Sequence, residues 1–208
     1  MHEQGTGTDK RAGGRKMKVL VIDNIDSFVY NLVQYVGMNG CKPIVLDNRA
    51  TKEQVKKAAE DVERIIISPG PKRPEDAGIS NHVIKEYGKS IPLLGVCLGH
   101  QCIGRLFGAR IRHARNLMHG KTSMISHKGG SLFEGVGNPF EAVRYHSLVV
   151  DDVPDCLSVT ARSAGDDEVM GLKHNDYPIH GVQFHPESIK TLDGMKIIKN
   201  FLGNGVQG

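Results

Sequence analysis

The stretch Pro92-Leu93-Leu94-Gly95-Val96-Cys97-Leu98-Gly99-His100-Gln101 decides the fold. It opens as a short apolar run, the mark of a strand buried on both faces. Gln101 to Phe107 then reads as a helix, with Ile103, Leu106 and Phe107 along one side. Between strand and helix, Cys97 is flanked by Gly95 and Gly99. A nucleophile on a sharp strand-to-helix turn needs this pattern, because the turn is crowded and residues without side chains relieve the crowding. Cys97 thus stands at a helix N-terminus. The partial positive charge there lowers a thiol's pKa, and the amide of Leu98 can receive a developing oxyanion. A lone cysteine is usually just a small buried apolar residue, so the thiol needs a base elsewhere to count as a nucleophile.

That base is available in Ile179-His180-Gly181-Val182-Gln183-Phe184-His185-Pro186-Glu187-Ser188. A strand-like run ends at His185 and Glu187 follows, with Pro186 holding the intervening turn extended. A carboxylate so placed can orient the imidazole while the other ring nitrogen faces the thiol.

Outward from these segments, strands and helices alternate. Lys18 to Asp23, Cys41 to Leu46 and Arg64 to Ser68 read as buried strands. Ser27 or Asp26 can cap a helix through Val36, Thr51-Lys52-Glu53-Gln54 is a capping box for a helix to about Asp61, and Gly78 to Gly88 carries a third helix. The alternation predicts an α/β protein: an open, doubly wound, mostly parallel sheet with helices on both faces and ligands beyond the carboxyl ends of the strands. After Gly108 the pieces shorten: Met124 to Ser126, Glu141 to Arg144, Leu157 to Ala161, Met170 to Lys173 and Ile179 to Phe184. They predict a small mixed-sheet extension, closed by a helix over Met195 to Leu202. Residues 1–16 are polar and glycine-rich, which predicts a disordered tail before a single domain over 17–208.

The bulk numbers exclude several classes. With 208 residues and 39% hydrophobic content the chain can build a full core, yet no run approaches the ~20 apolar residues of a membrane span. A net charge of +4 with few aromatics does not make a nucleic-acid stripe. The four cysteines match neither a zinc site nor a disulfide framework and point to a reducing, cytoplasmic protein. His113, His119 and His127 fit no regular ligand spacing, so no metal is expected.

Gly95-Val96-Cys97-Leu98-Gly99-His100-Gln101 with Gly181-Val182-Gln183-Phe184-His185-Pro186-Glu187 resembles the class I (triad) glutamine amidotransferases, almost from Lys18 to the end. The resemblance implies a flavodoxin-like sheet and hydrolysis of L-glutamine to glutamate and ammonia by a Cys97, His185, Glu187 triad, with no cofactor. It implies that Gln101 and the backbone of Ser147 and Leu148 hold the substrate, and that the amides of Gly70 and Leu98 bind the oxyanion. The family's loop pattern Ser-Pro-Gly-Pro-Gly-x-Pro appears as Ser68-Pro69-Gly70-Pro71-Lys72-Arg73-Pro74, with Lys72 in place of the second glycine. Lys72 is expected to serve through its backbone, side chain outside, beside Pro71. Within the family, His119-Gly120-Lys121-Thr122-Ser123, Arg144-Tyr145-His146-Ser147-Leu148 and Asp23-Asn24-Ile25-Asp26-Ser27-Phe28 resemble the amidotransferase components of anthranilate and aminodeoxychorismate synthases. Ile25 stands where that pattern usually has tyrosine. The GMP synthetase amidotransferase subunit is the nearest competitor. The resemblance implies a chorismate-binding synthase component I as partner, in tryptophan or folate biosynthesis.

Overall fold

In the computed structural model, which describes residues 15–203, the chain opens with β1 (Lys18–Asp23). Then follow α1 (Val29–Met38), β2 (Lys42–Asp47), α2 (Lys52–Ala59), β3 (Arg64–Ile67), α3 (Ile79–Tyr87), β4 (Leu93–Val96) and α4 (Leu98–Leu106). The second half contributes β5 (Arg110–His113), β6 (Lys121–His127), β7 (Phe140–Arg144), β8 (Leu148–Asp151), β9 (Leu157–Ser163), β10 (Val169–His174), β11 (Ile179–Val182) and the closing helix α5 (Gly194–Gly203). Apart from Arg15 and Lys16, the tail expected to be disordered lies outside the described residues; Arg15 ion-pairs with Asp61.

Nine strands form one sheet in the order β2-β1-β3-β4-β11-β10-β9-β6-β7. β2, β1, β3, β4 and β11 run parallel. The remainder is antiparallel and continues the same sheet as the mixed extension. Successive residues of a strand point to opposite faces. Val19, Val21, Ile66, Leu94 and Val96 therefore pack with α1 and α5 through Leu32, Val36, Ile197 and Phe201. Leu20, Ile22, Ile65, Ile67 and Leu93 pack on the other face with Val55, Val83, Ile84, Cys102 and Ile103 from α2, α3 and α4. Each such fully buried side chain contributes roughly 1.5–3 kcal/mol.

The placement of β11 matters most for the site. It is the last strand in sequence but inserts between β4 and β10, with Gly181 opposite Gly95 and Val182 opposite Val96. The segment after Val182 is thereby laid beside the elbow after Val96, and Cys97 N donates to Val182 O at 2.8 Å.

Two local expectations need revision. α1 begins at N-cap Phe28 with no side-chain cap, so neither Ser27 nor Asp26 caps it. The acids act earlier: Asp23 Oδ1 accepts from Ile25 N and Asp26 N, and Asp26 Oδ2 accepts from Phe28 N. These short-range bonds fold the loop instead and hold Ile25 at φ 62°. The second revision is a two-stranded sheet, β5 with β8, which the sequence reading did not foresee. Its pairing is held partly by charge, with Arg110 and Arg112 both donating to Asp151 Oδ2 at 2.7 and 2.9 Å. The capping box of α2 is present: Gln54 N donates to Thr51 Oγ1, and Thr51 N to Gln54 Oε1. No helix among the described residues is long and apolar enough to cross a membrane.

Candidate active site

Cys97 is the N-cap of α4 at φ 51°, ψ −98°, a conformation few residues other than glycine adopt without cost. The close packing of strand on helix enforces it. A Cβ on Gly95 would lie 2.5 Å from the Gly99 carbonyl carbon, and one on Gly99 would lie 2.6 Å from Ile67 O. Only bare backbone at these two positions lets α4 start so near the sheet, and the turn between them points Cys97 to the rim.

Gly70, Pro71, Lys72, Cys97, Leu98, Gln101 and the segment from Tyr145 to Leu148 line one cleft of about 160 Å³. Every residue expected to bind substrate therefore meets the thiol in a single cleft. Among the described residues, neither the Gly70 amide nor the Leu98 amide donates a hydrogen bond within the protein, leaving two N–H groups beside the sulfur. Lys72 lines the cleft, takes φ 71° and is exposed.

A second opening, of about 390 Å³, reaches the thiol from the other side and is lined by Asp26, Phe28, Gly70, Cys97, Tyr145 and His185. Here the base is found. His185 Nδ1 lies 2.6 Å from Glu187 Oε1, and both side chains are buried. Its Nε2 is buried and makes no hydrogen bond among the described residues. Burial opposes a charge on this ring, but a thiolate at Cys97 and the Glu187 carboxylate outweigh it and hold His185 well above its ordinary pKa. The ring is also fixed in place. His185 N donates to Val143 O, Thr191 Oγ1 donates to His185 O, and Tyr145 meets the imidazole edge-on at 5.0 Å. Phe28 stacks on Tyr145 at 5.6 Å, tying the first loop to this wall. Burial raises the pKa of Asp26.

The substrate wall is more connected internally than the sequence suggested. Gln101 is buried, and its Nε2 donates to Leu148 O at 3.0 Å and to Gln183 Oε1 at 3.1 Å. Ser147 O accepts from Ala114 N. Both carbonyls of the Ser147-Leu148 segment are thus used by the protein, and Gln101 Oε1 and the Ser147 hydroxyl remain without partners among the described residues.

Two groups escaped the sequence reading. Gln183 is fully buried and its Nε2 donates to Cys97 Sγ at 3.5 Å. It sits in phase with His185, two residues on, and that period was the available signal. Behind the cleft, Arg144 is buried in a bidentate ion pair with Asp166 and donates from Nε to His146 Nε2 at 3.0 Å. Burial and the Arg144 charge push His146 down to about 3, so it is neutral. A single arginine in the sequence carries no sign of such a partner, because Asp166 lies on a distant turn.

The family described as glutamine amidotransferase class-I matches residues 20–204. Anthranilate synthase component 2 of Methanocaldococcus jannaschii is 52% identical over 193 residues, covering 89% of this chain and 96% of the relative. The Bacillus subtilis aminodeoxychorismate/anthranilate synthase component 2 is 49% identical over 187 residues, covering 88% and 95%. A crystal structure of a glutamine amidotransferase from Thermotoga maritima superposes with TM-score 0.74 at 14% identity, covering 93% of this chain and all of that one, a likeness of fold. By its sequence match and its architecture, this chain belongs to the class I glutamine amidotransferase family.

Proposed function

We propose that the chain hydrolyses L-glutamine with Cys97, His185 and Glu187 and delivers the ammonia to a chorismate-binding synthase. The observation that carries this reading is the convergence of β4 and β11, which puts a thiol on a strained elbow beside an imidazole already bonded to a buried carboxylate.

The groups act in sequence. Cys97, as thiolate, attacks the side-chain carboxamide carbon, and the carbonyl oxygen develops negative charge. The unused amides of Gly70 and Leu98 take that charge, a contribution of roughly 3–4 kcal/mol per donor in comparable sites. Imidazolium His185 passes a proton to the departing nitrogen, ammonia leaves, and a thioester remains on Cys97. Neutral His185 then takes a proton from water, whose oxygen attacks the thioester and releases glutamate. Glu187 fixes the tautomer and supports the charged ring. Gln101 Oε1 and the Ser147 hydroxyl are available to the substrate's amino-acid end, and Pro71 and Lys72 close the cleft above it. Thiol chemistry supplies every step without a metal or organic cofactor.

Ammonia released into water is protonated and ceases to be a nucleophile, so such a hydrolase serves best when coupled to its consumer. The relatives' names, component 2 of anthranilate synthase, support a synthase component I as that consumer and tryptophan biosynthesis as the setting. The Bacillus subtilis relative's double name supports folate biosynthesis as a second reading. Residues 17–208 form the amidotransferase domain. The four cysteines are free, which suits a reducing, cytoplasmic setting.

The test is reconstitution with each candidate synthase. Cys97→Ser should abolish glutamine-dependent synthesis and leave ammonia-dependent synthesis intact; loss of both would make Cys97 structural. Synthesis of anthranilate with one partner, or of aminodeoxychorismate with the other, separates the two readings.

A further inference from the structure

We infer that Gln183 is a further catalytic residue: its side-chain amide donates a hydrogen bond to the Cys97 sulfur and so favours the thiolate over the thiol. The inference rests on the reading of Cys97 as the nucleophile.

The direction of that bond follows from a chain of acceptors. At one end stands Leu148 O, a backbone carbonyl that can only accept. The group 3.0 Å away on Gln101 must therefore be its nitrogen. Both hydrogens of that nitrogen are then committed, one to Leu148 O and one toward Gln183, 3.1 Å off. The Gln183 atom that meets it must be the oxygen. Consequently the end of Gln183 facing Cys97 is the NH2 group, 3.5 Å from Sγ. Rotating either amide by half a turn would set two donors or two acceptors against each other inside a fully buried network.

The chemistry depends on this direction. An amide nitrogen donates and does not accept, so a protonated thiol gains nothing from pointing its own hydrogen at it. A thiolate gains a charge-assisted bond in a buried place, where such bonds are strong. Gln183 cannot drift away: it has no solvent exposure, and its backbone N donates to Met170 O at 3.0 Å, pinning it to β10. The same network links the substrate wall to the nucleophile, since Leu148, Gln101, Gln183 and Cys97 form one line of contacts. The imidazole supplies charge beside the sulfur and the amide a fixed dipole.

The experiment follows alkylation of Cys97 by iodoacetamide across a pH series, with the modified peptide identified so that Cys41 and Cys156 do not contribute. Gln183→Met removes the donor at similar length. Gln183→Glu, close in shape, replaces the donor with a carboxylate. In Gln183→Met the thiolate limb should move up by about one pH unit, which makes alkylation roughly tenfold slower at pH values on the rising part of the limb; Gln183→Glu should move it further. Thermal unfolding checks that each variant is folded, and Gln183→Glu carries the test if Gln183→Met does not fold. A reactive wild type whose limb stays in place in the folded variants overturns the role of Gln183 alone. A wild-type Cys97 that does not react overturns the nucleophile reading, and the inference falls with it.

Discussion

Replacing Glu187 with glutamine is the sharpest perturbation of the base. The carboxylate is almost wholly buried and meets His185 Nδ1 at 2.6 Å through Oε1, while Oε2 has no hydrogen-bond partner among the described residues. The amide keeps the shape and removes the charge. A hydrogen bond to a charged partner contributes about 1.5–3 kcal/mol, so kcat/KM for glutamine should fall roughly ten- to hundredfold. The sign of the pH effect is also fixed. Burial disfavours the imidazolium, while the Cys97 thiolate and Glu187 hold its pKa well above the ordinary value. Removing Glu187 lowers that pKa, so the imidazolium is lost at lower pH and the alkaline limb of the rate profile moves toward neutrality. Ammonia release from glutamine, measured across pH by a coupled glutamate assay, reads both effects. A loss under about threefold with an unmoved alkaline limb would refute the role given to Glu187.

Three further outcomes are expected. Lys72→Gly should leave the KM for glutamine within tenfold, because Lys72 serves through its backbone at φ 71°; it should raise the melting temperature by up to about 2–4 °C, the worth of about 1 kcal/mol of left-handed strain in a chain of this size. Gly99→Ala should lower stability by about 1–3 kcal/mol in chemical denaturation, because its Cβ would meet Ile67 O at 2.6 Å and that backbone cannot move aside. Asp166→Asn should flatten the acid limb of stability. Burial alone would raise this carboxyl, but Arg144 and Ser163 hold it down at about 2. Its stabilisation is therefore complete above the unfolded value near 3.8 and is lost as pH falls through the folded one, a contribution of about 1 kcal/mol once solvent screening is allowed for. Acid unfolding with an unchanged limb would remove that role.

The parts of the molecule written into short stretches were legible. The apolar runs of β1, β3 and β4 announce a sheet covered on both faces, and the glycines around Cys97 announce a tight elbow. The spacing of His185 and Glu187 announces a paired base. What stayed hidden is long-range. That β11 crosses to lie against β4 depends on the whole sheet order, and no residue in Ile179–Val182 encodes it alone. β5 and β8 are too short for either to announce a partner, and only in the fold do Arg110 and Arg112 of β5 meet Asp151 of β8. Nothing beside Gln101 in the sequence shows that its Nε2 is tied to Leu148 and Gln183, and Gln183 itself has no local mark beyond its phase with His185. Polar networks join residues far apart in sequence, so their members look ordinary until the chain is folded.

The central claim is that Cys97, and no other cysteine, attacks the carboxamide of glutamine. The most direct measurement is to treat the intact protein with a diazo-ketone analogue of glutamine and locate the adduct by mass spectrometry. The mechanism predicts one adduct, on Cys97, formed more slowly when glutamine is present in excess. An adduct on Cys41, Cys102 or Cys156, or labelling that glutamine does not slow, would contradict it.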